Sequence, residues 1–227
     1  MFDHFVTTSV EILAGGDIGL ASESVVMLRA RDLFCERDER VLFESLNFDV
    51  REGQILQIKG SNGSGKTTLL RILCGLNGAY KGAIHWYQER IEEQVKMFYS
   101  SLLFIGHRVG VNKALTPVEN LRWSCGLQQQ VAVDDLYKAL QEVGLHGFEE
   151  SQCFTLSAGQ QQRVSLARLL ISTAKLWVLD EPFTTLDSRG VKQLEELLGN
   201  HANSGGAVIV TTHHNLQVAG VKELTLV

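Results

Sequence analysis

No run in the sequence approaches the roughly 20 consecutive apolar residues needed to cross a bilayer. The longest apolar runs, such as SLLFIG and AVIVTT, are strand-sized, so a membrane-spanning helix is not expected. The first 26 residues, MFDHFVTTSVEILAGGDIGLASESVV, hold no Lys or Arg and are interrupted by Asp3, Glu11, Asp17 and Glu23. They do not read as a secretory leader, which needs a cationic start. Those acids account for four of the five formal negative charges (−5 minus −4 leaves −1), so residues 27–227 are nearly neutral. Without a basic excess, nucleic acid is not expected as a partner. Cys35, Cys74, Cys125 and Cys153 lie far apart with no C-x-x-C pair, which reads as reduced, buried thiols rather than a disulfide or metal framework. Only Pro117 and Pro182 occur, and no repeat or Pro-rich linker divides the chain.

What is present is ample apolar material, 44% of 227 residues, enough for one domain with a modest insertion. Strand-like runs recur at 26–33, 46–50, 54–59, 83–86, 102–105, 176–179 and 207–211. Helix-like stretches fall at 66–74, 117–123, 133–143, 160–171 and 189–198. The opening strands follow one another closely, with Glu52-Gly53 as a turn, and suggest an antiparallel layer. The later strands alternate with helices and suggest a parallel sheet. Residues from about 111 to 172 are almost wholly helical in pattern. The expected fold is therefore α/β, with an antiparallel layer, a mainly parallel core sheet (27–110 and 173–227) and a helical subdomain inserted at about 111–172. Residues 1–26 are expected to be an extension outside that fold.

After the strand QILQIK come Gly60, Ser61, Asn62, Gly63, Ser64, Gly65, Lys66, Thr67 and Thr68, then the helix TTLLRILC. This G-x-x-x-x-G-K-T run is a P-loop in its strand–loop–helix context. Its glycines let backbone N–H groups curl around phosphate oxygens, and the helix N-terminus adds its dipole. Lys66 is expected at the β- and γ-phosphates of ATP, and the Thr67 hydroxyl on Mg²⁺. Downstream, KLWVLDEP ends an apolar run in two acids. Successive strand residues face opposite ways, so Asp180 is assigned to the metal and Glu181 to the attacking water. The run AVIVTTHH places His213 just past another buried strand, where it could hydrogen-bond the γ-phosphate. His214 beside it invites a zinc reading, but no Cys or His stands at ligand spacing.

The stretch LSAGQQQR (156–163) carries no strong nucleophile, thiol or carboxylate. Ser157 and Gln160, three apart, have the spacing of a capping box. Ser157, Gly159 and Gln160 together also make a second anion-ready helix start, in a chain whose P-loop already serves its own phosphates.

LSAGQQQR resembles the signature motif of ATP-binding-cassette ATPases, and it stands just before the Asp180 strand as in that family. FTTLD (183–187) looks like the loop after the catalytic acid, and His213 matches the switch histidine. The resemblance implies two cassettes paired head to tail, each signature helix capping the γ-phosphate held by the other P-loop. More narrowly, CERDERVLF (35–43), IKGSNGSGKTTLLRIL, FIGHRVGVNKALTPVENLRW (104–123), LSAGQQQRVSLARL and TTHH are similar to the ATP-binding subunits of the cytochrome c maturation system, a family of haem exporters. This likeness covers residues 27–227. It implies membrane-spanning partner subunits, a homodimer of ATPase subunits, and a peripheral place on the cytoplasmic face of the bacterial inner membrane.

Two departures from the general cassette pattern stand out. His107 replaces the glutamine expected after the 102–105 strand, and Arg108 follows where the narrower family carries glutamine, so either could sense the metal. The aromatic that stacks on adenine should fall near Arg37, whose guanidinium could stack instead or belong to a solvated charge run. The segment 106–123 is expected to present Val109, Val111, Lys113 and Leu115 on a loop facing the membrane partner. The rival functions are a soluble cassette ATPase of DNA repair or translation, a nucleotide sensor without turnover, and a cassette serving another cargo.

Overall fold

The structure, a computed structural model, describes residues 24–126 and 131–227. Two sheets stack through one apolar layer. The first is antiparallel, with strand order β2-β1-β4-β5, formed by β1 (Val26–Arg37), β2 (Arg40–Arg51), β4 (Lys81–Trp86) and β5 (Glu89–Arg90). The second is parallel, with order β6-β7-β8-β3-β9, formed by β3 (Ile55–Gly60), β6 (Leu102–Ile105), β7 (Leu176–Asp180), β8 (Ala207–Thr211) and β9 (Lys222–Leu226). The expected antiparallel layer and parallel sheet are both present. Glu52-Gly53, however, leads from β2 into the second sheet rather than closing a hairpin. The true hairpin joins β1 to β2 at Asp38-Glu39, whose φ values are 52° and 62°. Both central residues of such a two-residue turn must be left-handed, which usually selects Asn-Gly or Asp-Gly.

Period-two alternation sorts the parallel strands between two cores. Leu176 and Val178, with Ala207 and Ile209, face the antiparallel sheet and α1 (Lys66–Leu73), whose Leu69, Leu70, Ile72 and Leu73 are fully buried there. Trp177, Leu179, Val208 and Val210 face the other way, onto α5 (Ala158–Ile171) and α6 (Ser188–Asn203). Continuing the alternation, Asp180 and Thr211 point toward α1, the side of the P-loop.

A third core gathers α3 (Pro117–Gly126), α4 (Val133–Glu142) and the face of α5 bearing Val164 and Ala167. A short helix, α2 (Val95–Ser100), precedes β6. Residues 1–23 of the expected extension lie outside the described residues. Its last three are tied in: Arg51 Nη1 donates to Ser24 O at 2.6 Å and Glu52 N to Val25 O at 2.9 Å, and β1 opens at Val26. Among the described residues no helix is long and apolar enough to cross a membrane.

Candidate nucleotide-binding and hydrolysis site

In open parallel sheets ligands collect beyond the C-terminal strand ends. Here β3 delivers Gly60, β7 delivers Asp180 and β8 delivers Thr211 to one edge. A cavity of about 590 Å³ opens there, lined by Asn62, Gly63, Gly65, Lys66, Thr67, Thr68, His107, Asp180 and Glu181, and by Arg37, Asp38, Arg40 and Leu42 from the β1–β2 hairpin. That volume suits a nucleotide-sized ligand.

The loop takes its shape from glycine. Gly65, at φ 97°, is the N-cap of α1, and a Cβ there would sit 3.1 Å from Leu42. Gly60, at φ 152°, passes so close to β9 that a Cβ would meet Leu226 O at 2.7 Å. Lys66 Nζ donates to Gly60 O at 2.8 Å and Ser61 O at 3.0 Å, so the ammonium is held at the loop it serves. No acid occupies the first turn of α1, leaving its positive end open to phosphate.

Thr67 Oγ1 donates to Asp180 Oδ2 at 2.8 Å. Neighbouring oxygen ligands of an octahedral Mg²⁺ lie about 2.9 Å apart, so this pair fits two adjoining positions. Among the described residues no group of three or more His, Cys, Asp or Glu could hold a metal. A cation at Thr67 and Asp180 would complete its shell with phosphate oxygens and water, the usual habit of Mg²⁺.

Glu181 departs from the strand rule. β7 ends at Asp180, and Glu181 adopts φ 52°, the left-handed region. It therefore does not turn away from Asp180, as strand alternation would require; both line the same cavity. Its N–H donates to Thr211 O and to Thr211 Oγ1, both at 3.0 Å. His213 Nε2 lies 3.6 Å from Glu181 Oε1, although His213 is itself largely exposed and outside the cavity lining. His107 lines the cavity and Arg108 does not. His214 pairs with Glu195 Oε1 at 3.1 Å.

Three residues singled out from the sequence lie apart from this cavity. Ser157, Gly159 and Gln160 form the start of α5, where the capping box is complete: Gln160 N donates to Ser157 Oγ at 3.2 Å and Ser157 N to Gln160 Oε1 at 2.9 Å. Gly159 packs so closely that a Cβ would meet Thr185 O at 3.1 Å, in the loop after Glu181. Gln162 Nε2 donates to Pro182 O of that same loop at 3.1 Å. Arg163 pairs with Asp187 at 2.9 Å. Asp187 also caps α6 through Gly190 N, and that backbone bond, helped by Arg163, holds its carboxyl below the usual range.

Several contributors carried no sequence signal. Gln57, buried in β3, donates to Thr212 O and His214 O at 3.2 and 3.1 Å and so anchors the turn bearing His213. The segment 109–115 is less exposed than its loop pattern suggested. Val109, Val111 and Leu115 are half-buried and line a groove of about 440 Å³ with Trp123, Ser165 and Arg168; Lys113 is exposed and outside it.

Residues 43–184 match the family model described as ABC transporter. A cytochrome c biogenesis ATP-binding export protein of Hahella chejuensis is 53% identical over 194 residues, covering 86% of this chain and 92% of the relative. One from Pseudomonas putida is 50% identical over 201 residues, covering 88% and 96%. Among solved structures, an ATP-binding subunit of an ABC transporter superposes with TM-score 0.74 at 25% identity, covering 82% of this chain and 79% of that one. An ABC transporter ATP-binding protein from Pyrococcus furiosus gives 0.76 at 25%, covering 88% and 96%. A P-loop before α1, two acids at the end of β7 and a helical insertion ending in LSAGQQQR thus meet close similarity over most of both chains: the chain belongs to the ABC transporter family, among the cytochrome c biogenesis ATP-binding export proteins.

Proposed function

We propose that this chain hydrolyses ATP to ADP and phosphate and passes the resulting motion to membrane-spanning subunits that handle haem, or a haem–chaperone adduct, in c-type cytochrome biogenesis. The observation that carries the hydrolytic part is the left-handed turn at Glu181, which aims a second carboxylate into the cavity beside Asp180. Lys66 and the N–H groups of residues 60–68 bind the phosphates. Thr67 and Asp180 would hold Mg²⁺, with His107 at the same cavity as its sensor; the ion, when bound, would neutralise charge on the β- and γ-phosphate oxygens. Glu181 orients a water and takes its proton as the oxygen attacks the γ-phosphorus. The bond from that phosphorus to the bridging oxygen breaks, and the bridging oxygen leaves on ADP. His213, close to Glu181 Oε1, hydrogen-bonds the γ-phosphate.

Ser157, Gly159 and Gln160 start a helix whose N-terminus has no part in this chain's own cavity. They meet the γ-phosphate of a second copy, which makes the working unit a homodimer. The base is assigned to the part of the cavity lined by Arg37, Asp38, Arg40 and Leu42; among the described residues no Phe, Tyr or Trp lines that cavity.

The groove between segment 109–115, α3 and α5 is the proposed contact with a short cytoplasmic helix of the membrane partner, placing this chain on the cytoplasmic face of the inner membrane. Trp123 is 71% exposed at its rim. Arg168, mostly buried, has its pKa lowered by desolvation, and no ion pair satisfies it among the described residues. The Ser165 hydroxyl is buried and has no hydrogen-bond partner among the described residues. Because Val111 also packs on the third core, Trp123 is the cleaner probe. Trp123→Ala is expected to leave basal ATPase of the isolated subunit unchanged. It should abolish co-purification with the detergent-solubilised membrane subunits and stop cytochrome c maturation in cells. A variant that still assembles and matures cytochrome c normally would remove this groove from the account.

A further inference from the structure

Thr211 is fully buried at the end of β8, after Val208, Ile209 and Val210. A valine would suit such a position, and a buried hydroxyl without partners costs free energy. The hydroxyl has partners on both sides. It donates to Asp180 Oδ1 at 2.7 Å and accepts from Glu181 N at 3.0 Å, using its one proton and one of its lone pairs. Thr67 holds the other oxygen of Asp180 at 2.8 Å. The Asp180 carboxylate is therefore fixed at both ends, and the same hydroxyl supports the backbone of a non-glycine residue at φ 52°, a conformation that surrounding bonds must hold in place. β7 and β8 lie side by side with Asp180 opposite Thr211, so one side chain reaches both acids.

We infer that the Thr211 hydroxyl is a positioning group that sets the Asp180 carboxylate and the Glu181 backbone relative to each other; this rests on the hydrolytic reading of Glu181. It acts through the two acids and touches no substrate. Thr211→Val removes the hydroxyl and keeps the shape, whereas Thr211→Ser keeps the hydroxyl and removes a methyl. Thr211→Val is expected to lower kcat about tenfold or more, about 1.4 kcal/mol of barrier, with ATP Kd near wild type because Lys66 and the loop are untouched. Thr211→Ser should turn over near the wild-type rate. A packing role alone would make Thr211→Ser the worse variant, since it leaves a void.

Wild-type kcat in Thr211→Val, or Thr211→Ser as slow as Thr211→Val, overturns the inference. If Thr211→Val fails to bind ATP or to melt cooperatively, Thr211→Ala takes its place, with the same loss of kcat expected. Glu181→Gln is run beside them. Should Glu181→Gln keep its turnover, the hydrolytic reading itself fails. An inactive Glu181→Gln beside a fully active Thr211→Val refutes the Thr211 inference alone.

Discussion

Replacing Ser157 separates two roles held by one side chain. Its hydroxyl caps α5 and is answered by Gln160, a complete capping box, and on the composite-site reading it also faces a second copy's γ-phosphate. Ser157→Ala loses the cap, at a cost of about 1 kcal/mol. In a domain of this size that lowers Tm by about 2–4 °C. Aspartate caps as well as serine, so Ser157→Asp should melt close to wild type. Its carboxylate would nevertheless stand against phosphate charge. Two like charges about 4 Å apart repel by about 4 kcal/mol at an effective dielectric constant near 20, enough to lower ATPase by at least about a hundredfold. Thermal melting read beside phosphate release tests both halves. Ser157→Asp that melts as low as Ser157→Ala would refute the capping argument. Ser157→Asp with wild-type ATPase would refute the composite site. As a cross-check, inactive Ser157→Arg mixed with inactive Lys66→Ala should regain some activity, because one of the two sites in the mixed dimer is intact.

If the base sits against Arg37, Asp38, Arg40 and Leu42 as proposed, it meets no ring there, and stacking worth about 1–3 kcal/mol is missing. GTP should then bind within about tenfold of ATP, about 1.4 kcal/mol; a hundredfold preference for ATP in competition binding would show that another contact reads the base. His201 stacks on Trp177 with ring centroids 3.7 Å apart, and burial lowers its pKa. A base with a depressed folded pKa contributes stability that is complete above its unfolded value, about 6.5, and is lost as pH falls from there through the folded value. Melting temperature should therefore decline below about pH 6.5, and His201→Phe should flatten that slope; an unchanged slope would refute the assignment. Deleting residues 1–23 while keeping Ser24, whose carbonyl is bonded to Arg51, should leave ATPase and Tm near wild type, and a large drop in either would count against an extension outside the fold.

The P-loop was legible in the sequence because its chemistry is local: glycines, lysine and threonine at fixed spacing between one strand and one helix. The two sheets were legible because buried strands are apolar runs of strand length. The direction of Glu181 was not, since alternation holds only while a residue stays in the strand, and the partner of its N–H, Thr211, stands thirty residues on. The β1–β2 hairpin was hidden because Asp38-Glu39 takes a conformation normally advertised by glycine. The strand β9, KELTL, has an exposed polar edge and reads as loop until β3 pairs with it. Gln57 and Glu195 look like ordinary polar residues in sequence, and only the folded chain brings them to the turn that carries His213.

Turnover by Glu181→Gln tests the central claim most directly. The amide keeps the shape and cannot accept the water's proton, so ATP affinity should persist while steady-state hydrolysis falls by roughly 10²-fold or more. The protein should then accumulate as an ATP-bound dimer during size-exclusion chromatography with ATP and Mg²⁺. Hydrolysis at the wild-type rate, with the dimer never populated, would contradict the assignment of Glu181 and with it the account of this site.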